Sequence, residues 1–279
     1  MGIPKRNISE IKTRYELEPD LSDIYLEGTF DKEIFDAALK VAPEYFRPCY
    51  AIDDIEVDAD VLAGYELTTG NRQRVIALAN ELDLPDTCVR LVVDRDFEDW
   101  LPTLPNTNGL VPTKYCDVEA VFFDEDFVKQ VMLDASRCKI SEWDKFFEAL
   151  KSRLCELFFL RLEIVSSQMD SGLIDFTRCM RLVNGIPELN LPDLVERSLS
   201  GCSTKNDREA IVLRVEKRIF NLSNKSHQLV SRGHDFLKLV AWCVRATKGL
   251  KAFQSEESIA RLLVLFAGSK KDDLLHPIW

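Results

Sequence analysis

The sequence predicts an α/β fold: a small parallel sheet flanked by helices, followed by a mainly α-helical C-terminal region. Three observations predict it. Short runs rich in β-branched and large apolar side chains, at residues 24–27, 50–57 and 89–93, read as buried strands. Helical spacing alternates with them, and strands joined through helices imply crossovers and a parallel sheet. From Ser141 onward the apolar spacing is helical throughout.

Taken in order, residues 1–20 are mixed in charge and end in Glu18-Pro19-Asp20, which reads as a lead-in arm with little core, disordered or docked on a partner. The first strand runs to Glu27, Gly28-Thr29 turns the chain, and Asp31 opens a helix with the stripe Ile34, Phe35, Ala38 and Leu39. Pro43 ends that helix. The second strand carries a break at Asp53-Asp54. Gly70-Asn71-Arg72-Gln73 then starts a helix bearing Val75, Ile76, Leu78 and Ala79. Residues 101–114 are rich in turn formers and read as a loop directly after the third strand, where a segment gating substrate would lie. Ser141-Glu142-Trp143-Asp144 resembles a capping box before a long helix to about residue 168. Further helices are expected near 172–183, 191–200, 207–224, 234–247 and 256–267, punctuated by Gly185, Pro187, Pro192, Gly201 and Gly233. The expected division is 1–136 and 137–279.

Composition is that of an ordinary globular protein, 46% hydrophobic and 30% charged. The longest apolar run, at 262–267, is far too short to span a bilayer, so no membrane role is expected. Met1-Gly2 is followed by Arg6 in a poor myristoylation context, and no signal peptide is evident. Eight scattered cysteines without a Cys-x-x-Cys pair read as reduced core residues, and the cytoplasm is the expected location. The net charge of −11 is unevenly spread. Residues 1–136 carry 29 acidic and 13 basic side chains, whereas 137–279 carry 18 and 23. An acidic half joined to a mildly basic one suits an enzyme whose tail holds a polyanion, and equally suits a bland two-part protein.

Two strands end in acids: Glu27-Gly28-Thr29-Phe30-Asp31 and Asp94-Arg95-Asp96. Open α/β sheets bind ligands beyond the carboxyl ends of their strands. Asp94 and Asp96 are two apart and share a face if the strand runs through them. Crowded carboxylates repel one another, and a divalent cation between them keeps them ionised. Glu27, Asp31, Asp94 and Asp96 are therefore candidate ligands for Mg²⁺ (or Mn²⁺), which takes oxygen donors, keeps several waters and borrows substrate phosphate oxygens. Arg72 at a helix start, and Arg95 within the acidic motif, are the candidate substrate-binding residues. The plain alternatives are solvated strand-end acids and an ordinary turn before a helix.

Together these motifs resemble the Toprim family, the metal-dependent module of topoisomerases, primases and OLD-type nucleases. There a Glu ends the first strand, often within Glu-Gly-x-x-Asp, and an Asp-x-Asp ends a later one. Gly70-Asn71-Arg72-Gln73 and Tyr115-Cys116-Asp117-Val118-Glu119 further resemble the AriB-type Toprim-like effectors of PARIS-type anti-phage defence, which are encoded beside ABC-type ATPases. The likeness covers about residues 20–135, with Arg232-Gly233-His234-Asp235 a weaker match beyond. It implies a Mg²⁺-dependent nuclease with Glu27, Asp94, Asp96 and Glu119 as catalytic residues. It also implies tRNA as substrate, an ABC-type ATPase as the partner that restrains a toxic effector, and a homodimer.

The rival enzyme reading is an OLD-type nuclease that nicks DNA; metal–carboxylate chemistry acts on the phosphate and ignores the 2′-hydroxyl. The non-enzyme rival is an interaction module with a vestigial acidic site. Nothing marks Tyr15, Tyr25 or Tyr115 as a strand-transferring nucleophile, so hydrolysis is preferred. His227, His234 and His276 lack zinc spacing, and His234, at a helix start beside Asp235, reads as a capping or core residue, the alternative being one that reaches the site. No P-loop is present, so ATP hydrolysis would belong to a partner.

Overall fold

The computed structural model describes residues 5–83, 88–169, 172–222 and 225–278. The chain forms two compact units, Met1–Val121 with Leu263–Trp279, and Phe122–Leu262. Residue 137 falls inside the second unit, and the last residues of the chain return to the first.

The first unit is built on a four-stranded parallel sheet of β2 (Ile24–Leu26), β3 (Cys49–Ala51), β5 (Arg90–Val93) and β6 (Leu110–Pro112), in the order β3-β2-β5-β6. Each strand is short, and the central pair is buried on both faces, which explains its continuous apolar runs. Helix α2 (Thr29–Lys40) crosses from β2 to β3 and buries Ile34, Phe35, Ala38 and Leu39. Helix α4 (Asn71–Leu82) precedes β5, with the short α3 (Ala59–Gly64) packed on it. Val75, Leu78, Ala79 and Leu82 of α4 join Tyr25, Leu91 and Val93 of the sheet in one core cluster. On α2 lie the turn Ala267–Lys270 and α11 (Lys271–Leu274) from the chain's end. Lys114 pairs with Asp273 to fasten them.

From residue 5 onward the expected N-terminal arm is instead packed into this core. β1 (Arg6–Asn7) pairs in parallel with β4 (Ile55–Glu56), and α1 (Ile8–Leu17) follows. Asn7 and Glu10 form a reciprocal capping box, and Ile11 and Tyr15, one turn apart, are buried against the sheet. Asp23, fully buried, accepts bonds from Arg14 Nη1 at 2.7 Å and the Tyr15 hydroxyl at 2.8 Å. Tyr15 and Tyr25 share a further hydroxyl contact of 2.7 Å. Two of the three tyrosines considered as nucleophiles are thus core residues. Truncating Asp23 leaves a buried phenol and a half-buried guanidinium without their shared acceptor, so Asp23→Ala is expected to cost about 2–4 kcal/mol, read by denaturant unfolding. A loss below about 1 kcal/mol would show that α1 does not depend on this junction.

Two further expectations are corrected. Residues 101–114 are not all loop, since β6 pairs with β5 as a fourth strand. Its Pro112 is tolerated because β6 lies at the sheet edge. Residues 172–183 are not a helix: Phe176–Cys179 form a 3₁₀ turn, and β7 (Met180–Val183) pairs antiparallel with β8 (Ile186–Leu189). Asn184 and Gly185 both adopt positive φ, 51° and 80°, the signature of a tight Asn-Gly hairpin.

The second unit is otherwise helical. α5 (Glu125–Lys129) runs into a π-helical stretch, and α6 (Trp143–Ser166) forms the central helix, packed by β8, α8 (Lys205–Phe220) and α9 (Gly233–Ala246). Glu142, not Ser141, is the cap of α6. Glu163 of α6 is buried and held by Arg214 and Arg218 of α8 at 2.6 and 2.5 Å. α7 (Leu191–Leu199) and α10 (Glu256–Phe266) as far as Leu262 complete the unit. All eight cysteines are free, six of them buried. Among the described residues, no helix is long and apolar enough to cross a membrane.

Candidate functional site

From β2 the chain winds outward to β3, then crosses back to enter β5 on the other side of β2. The carboxyl ends of β2 and β5 therefore flank the point where the winding reverses. Doubly wound sheets bind ligands there, because the two crossovers diverge and leave a crevice. Leu26 of β2 is followed by Glu27, and Val93 of β5 by Asp94.

Backbone amides orient the acids around this point. The Asp94 N–H donates to Glu27 Oε1 at 2.8 Å, a bond that joins the two strand ends. The Gly28 N–H donates to Asp31 Oδ2 at 2.9 Å as α2 begins. Gly28 suits this close approach, since an added Cβ would sit 3.2 Å from the same Asp31 oxygen. The Ala120 N–H donates to Asp117 Oδ1 at 2.8 Å, where the 3₁₀ turn Glu119–Phe122 starts. Asn71, the first residue of α4, donates its side-chain N–H to the Glu27 carbonyl at 2.8 Å.

Electrostatics shows which acids belong together. Burial, and then the charges of Glu119 and Glu27, push Asp31 up to about 8 despite the Gly28 bond. Burial, and then Glu27, Asp31, Asp117 and Glu119, drive Asp94 well above the usual carboxylate range. Five carboxylates thus act on one another at the switch point. Four are the sequence-predicted Glu27, Asp31, Asp94 and Glu119. Asp117 was missed, although Asp117-x-Glu119 repeats the spacing of Asp94-x-Asp96.

Asp96 behaves differently. β5 stops at Val93, so strand alternation does not extend to Asp94 and Asp96, and Asp96 lies in the left-handed region at φ 45°. Its N–H donates to the Cys116 carbonyl at 2.8 Å, tying the turn to the segment that carries Asp117. Asp96 is not among the charges that weigh most on Asp31 or Asp94.

Both candidate arginines hold the loop after β5. Arg72 pairs with Glu98 at 2.7 Å, and Glu98 also accepts the Thr103 and Leu104 N–H groups at 2.8 and 3.1 Å. Arg95 donates to the Thr113 carbonyl at 3.0 Å and to Asp99 at 3.2 Å. His234 is exposed near the start of α9, beside Asp235, which forms a two-point pair with Arg161 at 2.8 Å.

Among the described residues, no three His, Cys, Asp or Glu side chains are gathered closely enough to hold a metal ion as they stand. Mg²⁺ does not require such a cage: one or two carboxylates, several waters and substrate phosphate oxygens suffice. The donor set fits a hard divalent ion. It is all oxygen, crowded with like charge, and it carries protons near neutrality that a cation would displace. No protein-family model matches the chain, and no curated protein matches it.

Proposed function

We propose that the chain is a metal-dependent phosphodiesterase, a Toprim-like nuclease acting on nucleic acid. The observation that carries this reading is the set of five acids at the topological switch point of a parallel sheet, where burial first, and then the charges of the neighbouring acids, push Asp31 and Asp94 upward. Burying acids that also repel one another is costly, and a bound divalent cation is the ordinary way the cost is relieved.

Glu27 and Asp94, linked through the Asp94 N–H, are the proposed primary ligands. Asp31, Asp117 and Glu119 add their charges to the negative field that draws in a cation. When bound, Mg²⁺ or Mn²⁺ supplies a Lewis acid for the phosphate and a site for an activated water. Arg72 and Glu98 pin the segment after β5, so that segment borders the site in a fixed form.

The resemblance to AriB-type effectors extends the proposal. The substrate is RNA, tRNA in particular, and the chain is a toxic effector restrained in the cytoplasm by an ABC-type ATPase, with a homodimer as the working form. End-labelled tRNA and supercoiled plasmid, each incubated with the protein in Mg²⁺ or in EDTA, test this. Mg²⁺-dependent tRNA fragments are the expected result. Nicked plasmid with intact tRNA would transfer the reading to a DNA nuclease of the OLD type. No cleavage of either, with or without the ATPase, would contradict the nuclease assignment.

A further inference from the structure

We propose that Asn71 and Arg74 are positioning residues for Glu27, an inference that rests on the reading of the switch-point acids as a divalent-cation site. Glu27 lies one residue beyond the last paired residue of β2, Leu26. Asn71 reaches it from the first turn of α4, its Nδ2 donating to the Glu27 carbonyl at 2.8 Å.

The choice of residue is informative. Asparagine is a poor helix former whose usual place at a helix start is the N-cap. Here Gly70 is the N-cap, and α4 has no side-chain cap hydrogen bond. The Asn71 side chain is spent on the neighbouring strand end instead. Its other end is fixed as well, since Oδ1 accepts from Arg74 Nη1 at 3.1 Å.

Arg74 is in turn tied down at three further points. Nη2 donates to the Ile52 carbonyl at 3.0 Å and to the Ile55 carbonyl at 2.8 Å, and Nη1 reaches Asp53 at 3.2 Å. Ile52 and Ile55 bracket the 3₁₀ turn between β3 and β4. A planar guanidinium bonded to two backbone carbonyls is a rigid strut. The path runs from that turn through Arg74 and Asn71 to the Glu27 backbone. From the other side, the Asp94 N–H holds the Glu27 carboxylate. Glu27 is thereby fixed at its main chain and at its side chain, as a ligand oxygen requires.

Outer contacts of this kind are worth about 10–100-fold in metal affinity. The test is calorimetric titration with Mn²⁺ of the full chain as wild type, Glu27→Ala, Asn71→Ala and Asn71→Asp, with a melting curve for each. Asn71→Asp keeps an acceptor for Arg74, removes the donor to Glu27, and adds a negative charge that would by itself tighten cation binding. Both Asn71 variants are expected to bind Mn²⁺ at least about tenfold more weakly while melting near wild type. Wild-type affinity in Asn71→Ala, or tighter binding in Asn71→Asp, would overturn the assignment. A large drop in melting temperature for both would also overturn it, by making Asn71 a folding residue. Wild type that takes up no Mn²⁺ and matches Glu27→Ala would instead sink the metal reading itself, and the inference with it.

Discussion

Glu27→Gln is expected to lower metal-dependent phosphodiester cleavage by about three orders of magnitude while leaving the chain folded. The substitution keeps the shape of the side chain and an oxygen to accept the Asp94 N–H. What it removes is the charge at the junction of the two strand ends. Charge stabilisation by a bound ion is worth several kcal/mol in the transition state, and each 1.36 kcal/mol is about tenfold in rate. Cleavage of labelled tRNA at saturating Mg²⁺, beside a melting curve, measures both halves of the expectation. A cleavage rate equal to wild type would remove Glu27 from the chemistry.

Asp31→Asn is expected to stabilise the metal-free chain at alkaline pH, an effect of the opposite sign to most substitutions of a half-buried residue. The Asp31 carboxyl has an ordinary value of 3.8 and is pushed up to about 8 in the folded chain. Between those values the folded state keeps a proton that the unfolded chain has released. Stability from this group is therefore full below about pH 4 and is lost as pH rises through about 8. Asp94, also raised, adds in the same direction. Glu156 of α6, raised to about 7, does so too, so the informative quantity is the difference between variant and wild type. In EDTA near pH 8, Asp31→Asn should melt several degrees above wild type, and near pH 6 the gap should narrow. Mg²⁺ should raise the wild-type melting temperature at the higher pH and raise that of the variant far less. Identical melting profiles across pH and metal would contradict the crowding of charge at Asp31.

The sheet was readable because its central strands are buried on both faces, so 24–26 and 90–93 appear as unbroken apolar runs. The acids were readable because those runs stop in carboxylates. What escaped notice has specific physical causes. β6 is an edge strand of three residues containing proline, and its pairing with β5 is set by tertiary contact rather than by propensity. α1 was hidden by a stretch dense in charge, although Asn7-x-x-Glu10 and the spacing of Ile11 and Tyr15 marked it. The β7–β8 hairpin was marked by Asn184-Gly185, which outweighed the helical look of its flanks. At the site, Asp117 lies on an irregular segment where no periodicity assigns a face, and only the folded chain brings its charge to bear on Asp94. The pairing of Asp94 with Asp96 needs a strand that runs through Asp96, and β5 ends three residues before it, at Val93. Arg72 looked like a phosphate contact at a helix start, and Glu98, distant in sequence, claims it.

The measurement that bears most directly on the switch-point site is an anomalous difference map from crystals grown in Mn²⁺. A peak within coordination distance of the Glu27 and Asp94 carboxylates, absent in Glu27→Gln crystals, is the result expected. Saturating Mn²⁺ with no peak between the ends of β2 and β5 would contradict the account.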